Sequence, residues 1–257
     1  MALTGKCALV TGAGTGIGRE VALEFARQGA DVVLSYHGSR EGALSAVAEV
    51  EKLGRRAAAF PADLGIVPQC YTLVDNACKF LGRLDILVNN AGQTMIKEFL
   101  SVTEEDFDYL YGVNIRGQYF CAQQAARTMR SQGGGVILNM LSIHALTSYP
   151  EHSLYDGTKG AIGAMTRSLA LELARYHIRV VGVAPGAIEV PRYYVEKENY
   201  SREELARRIP WQRVGMPIDI AKTCAFLASD DADFIVGSII VSDGGTTARM
   251  SLFAEEM

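Results

Sequence analysis

Thr11-Gly12-Ala13-Gly14-Thr15-Gly16-Ile17-Gly18 is the stretch whose reading decides the fold. Just ahead of it runs Ala8-Leu9-Val10, short, aliphatic and suited to a strand buried on both faces. Just behind it, Ile17 to Gln28 carries apolar residues at helical spacing and stops at Gly29. Glycine lets the backbone approach a ligand closely, and a helix opening here presents unbonded N–H groups and the positive end of its dipole. That combination suits a pyrophosphate, with Gly12, Thr15, Gly16, Ile17 and Gly18 as its cradle. A glycine turn can also be purely structural, but its place between a first strand and a first helix favours binding.

The same alternation continues along the chain. Val32–Leu34, Ala57–Phe60, Ile86–Val88, Val136–Leu138, Val180–Val183 and Ile239–Val241 read as further buried strands. Helical spacing marks Glu41 to Leu53, Val67 to Leu81, Glu104 to Met129, Leu154 to Tyr176 and Ile218 to Ala228. Seven strands alternating with helices imply one α/β domain over residues 1–257. Its architecture should be a doubly wound, Rossmann-like parallel sheet in three layers, α/β/α. Ile188 to Gly215 breaks the rhythm and holds a polar, partly helical segment, Glu196 to Arg208; we expect this insertion, 188–215, to form a lid over the site.

Bulk properties narrow the functional classes. The 257 residues suffice for one large core. A formal net charge of -4 without a Lys/Arg stripe gives nucleic-acid binding little support. No apolar run reaches the roughly 20 residues of a membrane span, and the N-terminus does not look like a signal peptide. Cys7, Cys70, Cys78, Cys121 and Cys224 are scattered, form no Cys-x-x-Cys pair and suggest reduced thiols in a cytoplasmic protein without a metal site.

In an open parallel sheet, ligands bind at the carboxyl ends of the strands. There lie Asp63 and Leu64 after the third strand, and Asn89-Asn90-Ala91-Gly92 after the fourth. Asn114 sits in the next long helix. Ser142 follows the fifth strand, Tyr155 and Lys159 form Tyr-x-x-x-Lys, and Pro185-Gly186 follows the sixth. Together with Thr-Gly-x-x-x-Gly-x-Gly, this ordered set resembles the short-chain dehydrogenase/reductase family from Lys6 to Gly245. The resemblance implies NAD(P)(H) as coenzyme and hydride transfer to or from a carbonyl or alcohol carbon. It places Asp63 and Leu64 at the adenine, and Asn90, Ala91, Gly92, Pro185, Gly186 and the Ile188 backbone along the coenzyme. Lys159 would hold the nicotinamide ribose, and Asn114 a water joining Lys159 to solvent.

The proposed chemistry also has a physical basis. Tyr155 and Lys159 are four apart and share a helix face. A phenol ordinarily ionises near ~10, and a neighbouring ammonium lowers that value; about 3 units would bring it to working pH. Tyr155 would then act as general acid in reduction and general base in oxidation, with Ser142 donating to the substrate oxygen.

Coenzyme and substrate preferences rest on departures from the family pattern. The second strand ends Ser35-Tyr36-His37-Gly38-Ser39-Arg40, with no carboxylate at Tyr36 to bind a ribose 2′-hydroxyl. Ser39 and Arg40 could donate to a 2′-phosphate, so NADP(H) is expected, with NAD(H) also possible. Thr15 stands where phosphate-preferring relatives often carry a basic residue, and Val190 where the family commonly has threonine. Ser142-Ile143-His144 resembles bacterial glucose 1-dehydrogenases, which implies a sugar or similar polyhydroxylated substrate. Thr94 and Glu189 depart from that pattern. The pocket is expected between Thr94, His144, Glu151, His152, Glu189 and Tyr193. The alternatives are a 3-oxoacyl-acyl-carrier-protein reductase, using Arg127, Arg130 and Arg175 for the carrier, and more remotely a non-catalytic NADP(H)-sensing protein. Apolar residues on more than one helix face, such as Phe107, Tyr111, Phe120, Met165 and Leu169, lead us to expect a homotetramer, with the segment after Gly245 at a second interface.

Overall fold

The aliphatic runs form seven strands because each has two faces to bury. Neighbouring residues in β1 (Cys7–Val10) enter different cores, Ala8 and Val10 on one side and Cys7 and Leu9 on the other. The strands β2 (Asp31–Tyr36), β3 (Ala57–Pro61), β4 (Ile86–Asn89), β5 (Gly135–Met140), β6 (Ile178–Pro185) and β7 (Ile239–Ser242) complete one sheet in the order β3-β2-β1-β4-β5-β6-β7. Every pairing is parallel. The computed structural model describes residues 1–196 and 200–249.

Helices α1 (Gly16–Arg27), α2 (Arg40–Lys52) and α3 (Val67–Leu81) follow the first three strands. Then come α4 (Glu104–Tyr111), α5 (Gly117–Gln132), α6 (Ser153–Leu173), the short α7 (Tyr193–Glu196) and α8 (Arg202–Arg207), and α9 (Pro217–Ala228). Phe25 of α1, Val50 of α2 and Ile220 of α9 pack one face of the sheet; Leu73 of α3, Met129 of α5 and Ala170 of α6 pack the other. Each fully buried large side chain of this kind contributes about 1.5–3 kcal/mol.

One expected helix is divided. Between α4 and α5, Gly112–Arg116 forms a π-helical turn, so Glu104 to Met129 is not continuous α-helix. The wider turn carries Asn114 at its centre, and π turns often sit at functional sites. Gly117 lets the chain pass against the loop after β3, where a Cβ would stand 2.7 Å from Leu64 Cβ and 2.8 Å from its carbonyl oxygen.

The insertion expected to form a lid is closed at its base by a parallel bridge between Ile188 and Gly215. Glu189 N donates to Gly215 O at 2.8 Å, and Gly215 N to Ala187 O at 3.0 Å. The expected partly helical stretch 196–208 holds the end of α7 and the whole of α8; positions 197–199 lie outside the described residues, as does 250–257 of the segment expected at a subunit interface.

The ends of β1 and β4 are stitched together beside the glycine turn. Thr11 Oγ1 accepts from the backbone N–H groups of Asn90 and Ala91, both at 3.0 Å. Asn90 Nδ2 donates to Thr11 O at 2.9 Å and Gly12 O at 3.2 Å. Gly18 lies under this stitch, where a Cβ would stand 2.4 Å from Asn90 Nδ2 and 2.6 Å from Gly12 O. Gly18→Ala is therefore expected to destabilise the protein by about 1–3 kcal/mol, the range for overpacking, read from the denaturant midpoint. An unchanged midpoint would show that the turn yields freely.

Candidate active site

Between β1 and β4 the winding of the sheet reverses, and a cleft of about 840 Å³ opens at the strands' carboxyl ends. Thr15, Gly16, Ile17 and Gly18 line it, so the N-terminus of α1 faces the opening. No acidic residue stands in the first turn of α1 to compete for an anion. Gly16 holds a left-handed φ of +57°, and a Cβ there would meet only the Val190 side chain, at 3.2 Å. This is a cradle fit for the pyrophosphate of a dinucleotide.

The rest of the cleft continues that fit. Tyr36 and Ser39 line it at the end of β2, Asp63 and Leu64 after β3, and Asn90, Ala91 and Gly92 after β4. Pro185, Gly186 and Ile188 complete the wall after β6. Asp63 Oδ1 accepts from Gly65 N at 2.9 Å, which fixes the carboxylate at the edge of the loop. Arg40 does not join this wall; it is the exposed first residue of α2. His37, which the sequence reading passed over, does line the cleft.

Deeper in, Ser142, Tyr155 and Lys159 share the cleft's inner wall. Lys159 is buried, and its Nζ donates to Met140 O at 3.0 Å and lies 5.5 Å from the Tyr155 ring centroid. Burial lowers its pKa to about 8. Asn114 serves as a brace: Oδ1 accepts from Gln93 N at 2.8 Å, while Nδ2 donates to Gln93 O at 2.9 Å and Thr158 Oγ1 at 3.0 Å. Both Nδ2 hydrogens are thereby used, so a relay water would have to meet an oxygen of Asn114.

Tyr155 departs from the expectation of a depressed phenol. Burial raises its proton affinity; Ser142, Thr94 and the charge of Arg192 oppose that rise, and Asp156 adds to it. The reason is dielectric: the site that excludes water penalises the phenolate more than its donors compensate. Ser142 Oγ accepts from His144 N at 3.2 Å, which leaves its hydrogen to donate to the phenol or to a substrate oxygen.

The pocket beyond Tyr155 matches the expectation in part. Thr94, His144, His152 and Tyr193 line it, whereas Glu151 and Glu189 do not. Glu189 is buried at the base of the lid, where Tyr194 Oη donates to Oε1 and Arg202 Nε lies 2.8 Å from Oε2. A carboxylate so enclosed needs partners, and the lid supplies them, so Glu189 anchors the lid rather than meeting a substrate. Several residues were missed, Tyr109 and Ile143 of the wall among them. Arg192 lines the cleft and donates to Thr94 Oγ1 at 3.0 Å. Asp156 Oδ1 lies 2.6 Å from His144 Nδ1. Ile96 adds an apolar wall. A sequence contains no rule for which way a lid side chain faces, and none pairs a loop histidine with an aspartate twelve residues on.

A dinucleotide cradle beside a Ser-Tyr-Lys set whose lysine is buried defines a nicotinamide-dependent oxidoreductase. Residues 12–247 match the family described as enoyl-(acyl carrier protein) reductase. The chain is similar to a versicolorin reductase of Emericella nidulans, 40% identical over 254 residues covering 95% of this chain and 96% of that one. It is also similar to a tetrahydroxynaphthalene reductase of Pyricularia oryzae, 38% identical over 255 residues covering 95% and 90% of the two chains. Among solved structures, a 7α-hydroxysteroid dehydrogenase complexed with NADH and 7-oxo glycochenodeoxycholic acid superposes with a TM-score of 0.90 at 37% identity, covering 95% and 94% of the two chains. The chain belongs to the short-chain dehydrogenase/reductase family.

A bound nicotinamide would supply or accept the hydride, leaving the proton to the chain's own groups. The Tyr155 hydroxyl is the group expected to give a proton to the carbonyl oxygen in reduction and to take it back in oxidation. Tyr155→Phe keeps the ring and removes that proton. Turnover should fall by at least the ~10²–10⁴-fold of general acid–base catalysis, with coenzyme binding by calorimetry nearly unchanged. Retention of more than about a tenth of turnover would contradict the role.

Proposed function

We propose that the chain is an NADPH-dependent reductase of compact, hydroxyl-bearing ring ketones. The observation that carries this reading is the His144–Asp156 pair beside Tyr155. An ionised Asp156 only accepts, so His144 Nδ1 carries the hydrogen and, in the neutral ring, Nε2 is an acceptor held in a fixed direction. The His144 ring is further set by edge contact with Tyr155 at 5.4 Å and by stacking on His152 at 4.9 Å. A substrate hydroxyl near the reacting carbonyl would donate to that nitrogen. Ile96, Tyr109, Ile143 and Tyr193 supply flat or apolar walls for a ring. The names of the two fungal relatives, with hydroxylated naphthalene in one, point the same way. NADP(H) is favoured over NAD(H) because no carboxylate occurs from Ser35 to Arg40, while His37 and Ser39 stand at the wall.

A sugar substrate is the second reading, supported by Thr94, His144, His152 and Arg192 as hydrogen-bonding groups on the cleft. It is weakened because the Glu189 carboxylate is engaged elsewhere. A carrier-protein thioester has less support: Arg127, Arg130 and Arg175 lie over the rings of Tyr71 and Tyr176, away from the cleft walls. A panel of hydroxylated aromatic ketones, aldoses, polyols and β-ketoacyl thioesters, each with both coenzymes, separates these. Reduction of a ring ketone with NADPH is expected. Oxidation of an aldose with no ring ketone reduced would favour the sugar reading, and activity on the thioester alone would favour the carrier-protein one. On the substrate found, His144→Ala should raise KM about 2- to 10-fold, the loss of one hydrogen bond. An unchanged KM would remove His144 from recognition.

The proposed assembly is a homotetramer. Support comes from exposed apolar residues on α4 to α6, namely Phe107, Tyr119 and Leu171, and from the partly exposed edge strand β7 beside Phe234. Sedimentation at micromolar protein should give a tetramer; a monomer would contradict the proposal.

A further inference from the structure

We propose that Arg192 of the lid and Thr94, five residues beyond β4, form a donor chain onto the Tyr155 hydroxyl, making the lid part of the proton step. Arg192 Nη2 donates to Thr94 Oγ1 at 3.0 Å. A guanidinium has no acceptor, so the direction of that bond is fixed. The Thr94 oxygen being engaged, its hydrogen is available to donate, and Thr94, Arg192 and Tyr155 line the same cleft, where the threonine opposes the rise in the phenol's proton affinity. A donated hydrogen bond is stronger to a phenolate than to a phenol, so the chain favours the anionic oxygen. The guanidinium behind the threonine polarises its O–H and strengthens the effect. The inference rests on Tyr155 being the group that exchanges the proton.

The other groups around Tyr155 leave a place for such a chain. From the turn after β5 come Ser142 and His144, the latter backed by His152. From α6 come Asp156, which disfavours the anion, and Lys159. From the lid come Arg192 and Tyr193. Lys159 directs a hydrogen bond at Met140 O, and with a pKa of about 8 its charge thins out in mild alkali. A guanidinium stays charged throughout, so Arg192 is the cation that persists beside the phenol where alcohol oxidation needs the phenolate. Arg192 lies four residues past Ile188, where the lid is bridged to Gly215, so its reach to Thr94 depends on how the lid sits.

Ultraviolet difference titration of phenolate reads Tyr155 alone when each protein is subtracted against its own Tyr155→Phe version. Thr94→Val and Arg192→Met are each expected to move the Tyr155 midpoint upward by about 0.5–1 unit, a 3- to 10-fold change in the ionisation constant. Together they should move it by less than the sum, because they act in one chain. Thr94→Ser should restore the wild-type midpoint. A midpoint unmoved in Thr94→Val, or Thr94→Ser titrating like Thr94→Val, overturns the proposal. If Thr94→Val fails to fold, Arg192→Met decides: an unmoved midpoint there overturns it equally. Substantial turnover by Tyr155→Phe would instead defeat the underlying role of Tyr155, a result these titrations do not mimic.

Discussion

The site depends on one buried charge, the ammonium of Lys159. It reaches across from α6 to the last carbonyl of β5, at Met140, and three other features converge where it ends. Gly92 leaves room, since a Cβ there would stand 3.7 Å from Nζ and 3.2 Å from Asn114 Oδ1. The π turn delivers Asn114 to the same spot, and Thr158, one residue before Lys159, is held by Asn114 Nδ2. Lifting an ammonium out of water is costly, and here the cost appears as a pKa lowered from 10.5 to about 8. The folded value lies below the unfolded one, so between those two pH values the unfolded chain binds more protons. In that window the contribution of Lys159 to stability improves as pH rises; below it the burial penalty is present in full.

That penalty shapes the chemistry around it. A site dry enough to depress Lys159 also raises Tyr155, because both changes disfavour charge. Donors from three separate parts of the fold lean against the rise: Ser142 after β5, Thr94 after β4 and Arg192 on the lid. A phenol governed by three elements is sensitive to their relative placement. The lid's placement is in turn fixed by the Ile188–Gly215 bridge and by Glu189, whose carboxylate takes Tyr194 and Arg202.

The fold was legible because strand burial writes itself into short aliphatic runs and helix ends into glycines. All seven strands fall where the periodicity put them, the 188–215 insertion is bridged at its two ends, and Val67–Leu81 has the expected ends. The glycine turn on the cleft was legible for a related reason: backbone geometry demands glycine at fixed spacing. What escaped depends on side-chain direction. Glu189 turned inward to serve the lid, Arg40 stayed outside the cleft and Arg192 turned into it, and these choices are made by packing between segments distant in sequence. The π turn at Asn114 also left no periodic trace, since one widened turn within a long helical stretch alters the apolar pattern too little. The buried chain from Asn89 Nδ2 to Asn139 Oδ1 at 3.0 Å, and from Asn139 Nδ2 to Thr166 Oγ1 at 3.0 Å, is of the same kind. It ties β4, β5 and α6 together beneath the site through residues that alone look like ordinary polar positions.

Since so much hangs on the buried ammonium, its titration is the most direct test. Nitrogen-15 NMR of the lysine side chains in the free protein, with the Lys159 signal identified by its loss in Lys159→Met, reads that one group. Burial of the charge predicts a midpoint at about 8; a midpoint at the ordinary lysine value of 10.5 would contradict it.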